Sequence, residues 1–347
     1  MCKPRLLSTL FVAAACFFWM LIVPMASGQT ASTQPTIPLR PAVLPGNGLA
    51  QHAFLYAGEF ESRKPVQTLW VIRDGKVAWS YAIPSKDASG TPQELGDATM
   101  LSNGNIVFGR KTGASEITPD KKIIWNYDAE PGTEVHVIQP IGTDHVMIVQ
   151  NGDPAKLMIF NTTTNTKEKE FTLPTGHPDR PHTQFRRVRM TKAGTFLVAH
   201  MDMGKVVEYD GDGKEIWSVK APSAWSAVRL PSGNTLISCQ THGVREVDPT
   251  GKIVWEFTQK DCPDIRLFIL QEAQRLSNGN TVICNWCPLN LKNTADWPGS
   301  VQVIEVTPDK HVVWALASWT DPADLGPATG IQILDEPGAA ENMDLLR

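Results

Sequence analysis

The side chains of this chain that could do chemistry are histidines, arginines and a few acids, scattered over almost two hundred positions. His136, His177, His182, His200 and His242, five of eight histidines, share the middle of the sequence with Asp97, Arg186, Arg187, Asp202 and Glu272. An imidazole titrates near neutral pH and can serve as general base, general acid or nucleophile. Adjacent guanidinium groups such as Arg186-Arg187 add fixed positive charge to this set. His136, His242 and Arg187 are therefore the candidates for catalysis. Asp97, His136, Arg186, Arg187, His200, His242, Glu272, Asn285 and Trp286 are the candidates for ligand binding. Other chemistries have no motif. Histidine pairs lack metal-ligand spacing, so no metal is expected. A glycine-rich phosphate loop and a nucleophile elbow are both missing.

Cys239, Cys262, Cys284 and Cys287 form a second cluster. Cys284-Asn285-Trp286-Cys287 has the spacing of a redox Cys-x-x-Cys motif, but it follows an apolar strand rather than opening a helix. A disulfide framework is the preferred reading, and four cysteines permit three pairings. Cys262 with Cys287 is favoured, because two loops can adjust to the separation a bond requires.

The elements that must position these groups announce themselves by repetition. Lys76-Val77-Ala78-Trp79, Lys122-Ile123-Ile124-Trp125, Lys214-Glu215-Ile216-Trp217, Lys252-Ile253-Val254-Trp255 and His311-Val312-Val313-Trp314 are copies of one short strand. With Phe171 in the third slot, the anchors step by 46, 46, 46, 38 and 59 residues. That period corresponds to one four-stranded propeller blade per repeat. Turn sequences recur as well: Leu101-Ser102-Asn103-Gly104-Asn105, Leu230-Pro231-Ser232-Gly233-Asn234 and Leu276-Ser277-Asn278-Gly279-Asn280 each separate two apolar runs. The expected fold is all-β, a six-bladed β-propeller over 51–336. The first repeat lacks an inner strand, and Thr329 to Glu336 reads as the segment that supplies it and closes the ring. The sixth repeat carries its excess length between Cys287 and Ser300, a loop that would bring Trp286 and Trp297 to the working face as a stacking surface.

Strand alternation places the starts of the inner strands, the loops between second and third strands and the links between blades on one face, called here the upper face. Every candidate above falls on or near it. A propeller mouth with convergent polar groups is the default place for a ligand.

The Gly251-Lys252-Ile253-Val254-Trp255 and Asp212-Gly213-Lys214-Glu215-Ile216-Trp217 repeats resemble the Gly-x-x-x-Trp docking repeats of pyrroloquinoline-quinone-like (PQQ-like) propeller proteins over roughly 52 to 336. The quinone-dependent dehydrogenases of that family are usually eight-bladed, with two adjacent cysteines beside the quinone and a bound calcium ion. This chain has six repeats and no Cys-Cys pair, so the resemblance implies the blade type and no PQQ cofactor is expected. His136-Val137-Ile138-Gln139-Pro140 is also similar to the histidine-bearing inner strand of bacterial aryl sulfotransferases, exported six-bladed propellers with a histidine nucleophile. That likeness implies sulfuryl transfer with Arg186, Arg187, His200 and His242 around the axis.

Lys3 and Arg5, the apolar run that follows and Ala26-Ser27-Gly28 read as a signal peptide over 1–28. Residues 29–50, rich in Thr, Pro and Ala, read as a tether, and 337–347 as a C-terminal tail. Removing Lys3 and Arg5 takes the net charge from −4 to −6 with no basic tract, which excludes nucleic acid as a partner. The expected protein is periplasmic or secreted and free of the membrane after cleavage. It binds a small molecule, a glycan or an extracytoplasmic protein on its upper face without catalysis. The alternative is an enzyme with an axial histidine site, for aryl sulfotransferase-like transfer or, ranked below it, quinone-dependent oxidoreduction.

Overall fold

The computed structural model describes residues 39–345, so the expected signal peptide and the first part of the expected tether lie outside the described residues. Six four-stranded antiparallel sheets make up the fold, one for each repeat. Apolar clusters fill the wedges between neighbouring sheets, as where Leu55, Leu69 and Val71 of blade 1 meet Leu95, Ile106 and Phe108 of blade 2. The inner strands are Ala328–Ile333, Leu95–Met100, Glu134–Ile141, Phe185–Met190, Ser226–Arg229 and Ile269–Arg275, for blades 1 to 6 in turn.

Ring closure follows the sequence expectation. Ala328–Ile333 pairs with Phe54–Gly58 in antiparallel register, Phe54 opposite Ile333 and Ala57 opposite Gly330. The strand stops short of Glu336, and Leu334 makes one last backbone bond, 2.7 Å to Ala53. First and last elements thus share one sheet, and neither leaves an inner edge exposed.

The repeated tryptophan acts as a latch between blades. Its indole N–H donates to a backbone carbonyl in the turn before the outer strand of the next blade: Trp79 to Pro119, Trp217 to Pro249 and Trp255 to Pro308, each at 2.8 Å. Trp125 reaches the Asn165 side chain instead, at 3.0 Å. An aromatic ring with a polar handle suits this half-buried place, because the apolar body packs into the wedge and the N–H finds its acceptor. Phe171 fills the wedge without the latch.

Two expectations need correction. Residues 39–50 do not form a free tether. Pro45 accepts a backbone bond from Ala315 (3.1 Å), Gly48 accepts the Trp314 indole N–H (2.9 Å), and Leu39 and Leu44 join apolar clusters of blade 6. Two half-buried leucines among the prolines suffice to dock the segment against an outer strand. The Cys262–Cys287 bond is not formed, since all four thiols are free and buried. Cys262 packs with Phe257 and Ile265, while Cys287 packs with Phe268, Trp297 and Trp319. Burial pushes both thiols up to about 11, so they behave as small apolar side chains.

Candidate functional site: an axial cup

The site begins with a backbone irregularity that recurs around the ring. In five of six blades, the pairing of the inner strand with its neighbour slips by one residue near the upper end. The slips fall between Leu95 and Ala98, Val135 and Val137, Phe185 and Val188, Leu270 and Ala273, and at Thr329 between Ala328 and Gly330. Blade 5 pairs without a slip. A bulge breaks the in-and-out alternation and re-aims side chains. The residues released by it are Gly96-Asp97, His136, Arg186-Arg187, Gln271-Glu272 and Thr329, nearly all polar.

Asp97, Arg187 and Glu272 occupy the same bulge position in blades 2, 4 and 6 and meet across the axis. Arg187 lies 3.4 Å from Asp97 and 3.7 Å from Glu272, and Arg189 lies 2.6 Å and 3.5 Å from the same two carboxylates. Arg187 also donates to the carbonyl of Thr329 at 2.9 Å. Two cations and two anions at full burial balance one another and form a plug. Gly330 borders it, where a Cβ would stand 2.8 Å from the Glu272 carboxylate.

Above this floor the inner-strand starts of blades 2, 3 and 4 bring together Glu94, Glu134, His136, His182 and Arg186. His136 Nε2 and His182 Nδ1 lie 2.8 and 2.9 Å from the same oxygen of Glu134. A carboxylate only accepts, so these two nitrogens carry the protons. The other ring nitrogens are then acceptors, and Arg186 donates to both, 2.9 Å to His136 Nδ1 and 2.7 Å to His182 Nε2. Glu94 stands 3.5 Å from Arg186 and 3.9 Å from His182. Lys111 holds the far oxygen of Glu134 at 3.1 Å. The Arg186 guanidinium lies 5.1 Å from the ring centre of Trp225, which adds a wall from blade 5. Gly96 permits this crowding, because a Cβ there would fall 2.2 Å from the carbonyl oxygen of His136.

Burial and the Arg186 charge depress His136 to about 4, so it is neutral at physiological pH. Burial and the charge of Glu94 raise Glu59, beside this group, to about 7. Burial pulls Glu134 upward, but the hydrogen bonds from His136 and His182 outweigh it and hold the carboxyl well below the usual range. Several buried polar atoms at this level make no hydrogen bond with the described residues: Glu94 Oε2, Arg186 Nε, Trp225 Nε1 and both amide atoms of Gln271. The arrangement offers a neutral imidazole, a carboxyl poised near neutrality, a fixed cation and unsatisfied donors and acceptors.

The sequence candidates divide accordingly. His136 and Arg186 line the cup, while Asp97, Arg187 and Glu272 form its floor. His200 is elsewhere, buried beside Phe185 with its ring 2.9 Å from the Tyr209 hydroxyl; burial and Lys205 depress it to about 3. His242 sits in an exposed turn of blade 5 and is joined to the cup by no hydrogen bond or ion pair among the described residues. Asn285 is spent on structure, accepting from Phe268 N (2.6 Å) and donating to the Arg266 and Val301 carbonyls. Trp286 and Trp297 are 5% and 2% exposed, and the Trp297 N–H is bound to Leu291, so the insertion presents little aromatic surface. Glu59, Glu94, Glu134, Arg189, Trp225 and Gln271 were not among the sequence candidates. The one available signal was the polar pair that interrupts apolar alternation in Arg186-Arg187 and Gln271-Glu272.

A separate cleft of about 680 Å³ lies below the plug, lined by Met190, Trp217, Val228, Leu230 and Arg229 among others. Its charged groups are already matched, Arg229 with Glu208 and Lys192 with Asp344. The cup, where polar atoms remain unmatched, is the stronger candidate.

No protein family's model matches this sequence, and no curated protein matches it. Solved structures match by shape. A protein of unknown function from Bacteroides caccae is 24% identical, with a TM-score of 0.69 over 81% of this chain and 97% of its own. Virginiamycin B lyase from Staphylococcus aureus, in a catalytically inactive form with quinupristin, is 13% identical with a TM-score of 0.53, over 82% of this chain and 91% of its own. A streptogramin B lyase is 11% identical with a TM-score of 0.51, over 79% and 84%. At these identities the likeness is one of fold, a β-propeller.

Proposed function

We propose that this chain is an exported propeller of the PQQ-like repeat type that binds a small polar molecule in the axial cup. The observation that carries the reading is the ring of inner-strand bulges, which delivers polar side chains to one mouth, where Glu94 Oε2, Arg186 Nε and the Gln271 amide are buried without hydrogen bonds among the described residues. Buried polar atoms are nearly always matched, and a polar ligand seated above the plug would match these. The tryptophan latches support the PQQ-like blade type. The acidic charge balance supports a partner other than nucleic acid.

A second reading is acid–base or group-transfer chemistry on the same ligand. It is favoured by the neutral His136 beside Arg186, with Glu59 able to hold or release a proton near pH 7. The test of both is a thermal-shift screen of small polar metabolites on the wild type, Glu94→Gln and His182→Ala. Compounds that stabilise the wild type should lose at least tenfold in affinity in both variants. Equal stabilisation of all three proteins would refute the cup as the site. Turnover of a compound that binds, abolished in His136→Gln, would establish the second reading.

A further inference from the structure

We infer that Glu94, His136 and His182 bind a divalent first-row transition-metal ion. The inference rests on the cup being the working site and names what anchors a ligand there. Each of the three residues offers one ligand atom, and these atoms lie within 4.8 Å of one another. Two atoms each about 2.2 Å from one ion are at most about 4.4 Å apart, so an ion at ordinary metal–nitrogen and metal–oxygen distances would draw the set together by a few tenths of an ångström.

The surroundings are those of ligands already oriented. Glu134 takes the N–H of both imidazoles, which fixes the tautomers and leaves His136 Nδ1 and His182 Nε2 as lone pairs. A carboxylate behind a ligating histidine is the usual outer-shell partner, and it makes the imidazole a better donor. Lys111 in turn steadies Glu134. The third ligand is a second, independent pointer. Glu94 is 7% exposed, and its Oε2 makes no hydrogen bond with the described residues while lying 3.9 Å from His182 Nε2.

One group now faces all three ligand atoms, the Arg186 guanidinium, at 2.9, 2.7 and 3.5 Å. It is a cation on the lone pairs that a metal ion would use, so the two are alternatives. The Arg186 guanidinium already stands over the face of Trp225, 5.1 Å from the ring centre, and that contact can keep hold of it when its terminal nitrogens turn off the lone pairs. Exchange of one cation for another leaves neither Glu94 nor Glu134 unbalanced. Two imidazoles and one carboxylate select zinc, iron(II), cobalt or nickel over calcium or magnesium. The His182 side chain is 47% exposed, so the outer side of the ion would stay open to an incoming ligand.

The experiment is calorimetric titration of chelator-treated full-length protein with zinc chloride or nickel chloride alone, followed by anomalous diffraction at the zinc edge. The wild type should bind one equivalent, with the anomalous peak on Glu94, His136 and His182. Glu94→Gln and His182→Ala should each weaken binding at least tenfold. Glu134→Gln, which only orients the ligands, should weaken it about 10–100-fold. Arg186→Gln should bind more tightly, since the competing cation is gone. Circular-dichroism melts of each variant separate loss of a ligand from loss of the fold. Absence of stoichiometric binding by the wild type, unchanged affinity in His182→Ala, or a peak away from these residues would overturn the inference. If zinc fails to bind while polar metabolites still lose affinity in His182→Ala, the ion is refuted and the cup stands.

Discussion

Neutralising Asp97 should expose how much the fold depends on its axial plug. Asp97 is 1% exposed and sits between Arg187 at 3.4 Å and the two terminal nitrogens of Arg189 at 2.6 and 2.9 Å. Asp97→Asn keeps the shape and removes the charge, leaving two buried guanidinium groups to share Glu272. Breaking a buried ion pair from one side costs about 3–5 kcal/mol, because the surviving charge has no counter-ion and no water. A chain of this size unfolds with an entropy near 0.6 kcal/mol per degree, so the midpoint should fall by about 5–8 °C. Scanning calorimetry of the wild type, Asp97→Asn, Arg189→Met and the double variant makes the test. The double variant restores one cation to one anion, so it should be more stable than the sum of the single losses by about 1–3 kcal/mol. A midpoint unchanged by Asp97→Asn, or strictly additive losses, would show that the plug is not an electrostatic unit.

Other expectations follow from the same geometry. Trp217→Ala or Trp255→Ala should cost about 2–3 kcal/mol by removing a half-buried wedge ring and its latch, while ligand affinity of the folded fraction stays intact; chemical denaturation and the cup's binding assay read the two separately. Deleting residues 329–347 removes the inner strand of blade 1 and should abolish cooperative unfolding in calorimetry. Glu59 has a folded pKa of about 7, above its unfolded value, so its contribution is fully present below about pH 4.5 and is lost as pH rises through 7. Glu59→Gln should therefore match the wild type near pH 4 and exceed it in stability above pH 7, as measured by denaturant midpoints across that range. His136 has the opposite sign. With a folded pKa of about 4, it contributes stability above pH 6.5 that is lost as pH falls toward 4, and His136→Gln should flatten that limb of the profile.

The fold was legible because its signals are local and repeated. Each outer strand carries an aromatic ring, three first hairpins share one glycine turn, and Thr329 to Glu336 matched the one missing strand. The site was only half legible for a reason of register. Alternation assigns side chains to faces by parity, and one inserted residue reverses that assignment without any mark in the sequence. Arg186 and Arg187 show the consequence, since adjacent residues of one type divide between the cup wall and the plug. Glu94, His136 and His182 come from three different blades, and separations of 42 and 46 positions match no metal-ligand motif. His200 and His242 were placed correctly near strand ends but not at the axis, because strand order alone does not say how far out from the axis a residue lies. The cysteines misled for a compositional reason. An even number of neighbouring cysteines suggests bridges, whereas here the four thiols are packing atoms in four different clusters.

The most direct measurement is a crystal structure of the protein soaked with the strongest stabilising compound from the metabolite screen. The account predicts density above the Arg187–Asp97 plug, within hydrogen-bond distance of Glu94 and Arg186 and beside His136. Density instead in the cleft below the plug, against Trp217 and Met190, or over the insertion at Trp297, would contradict it.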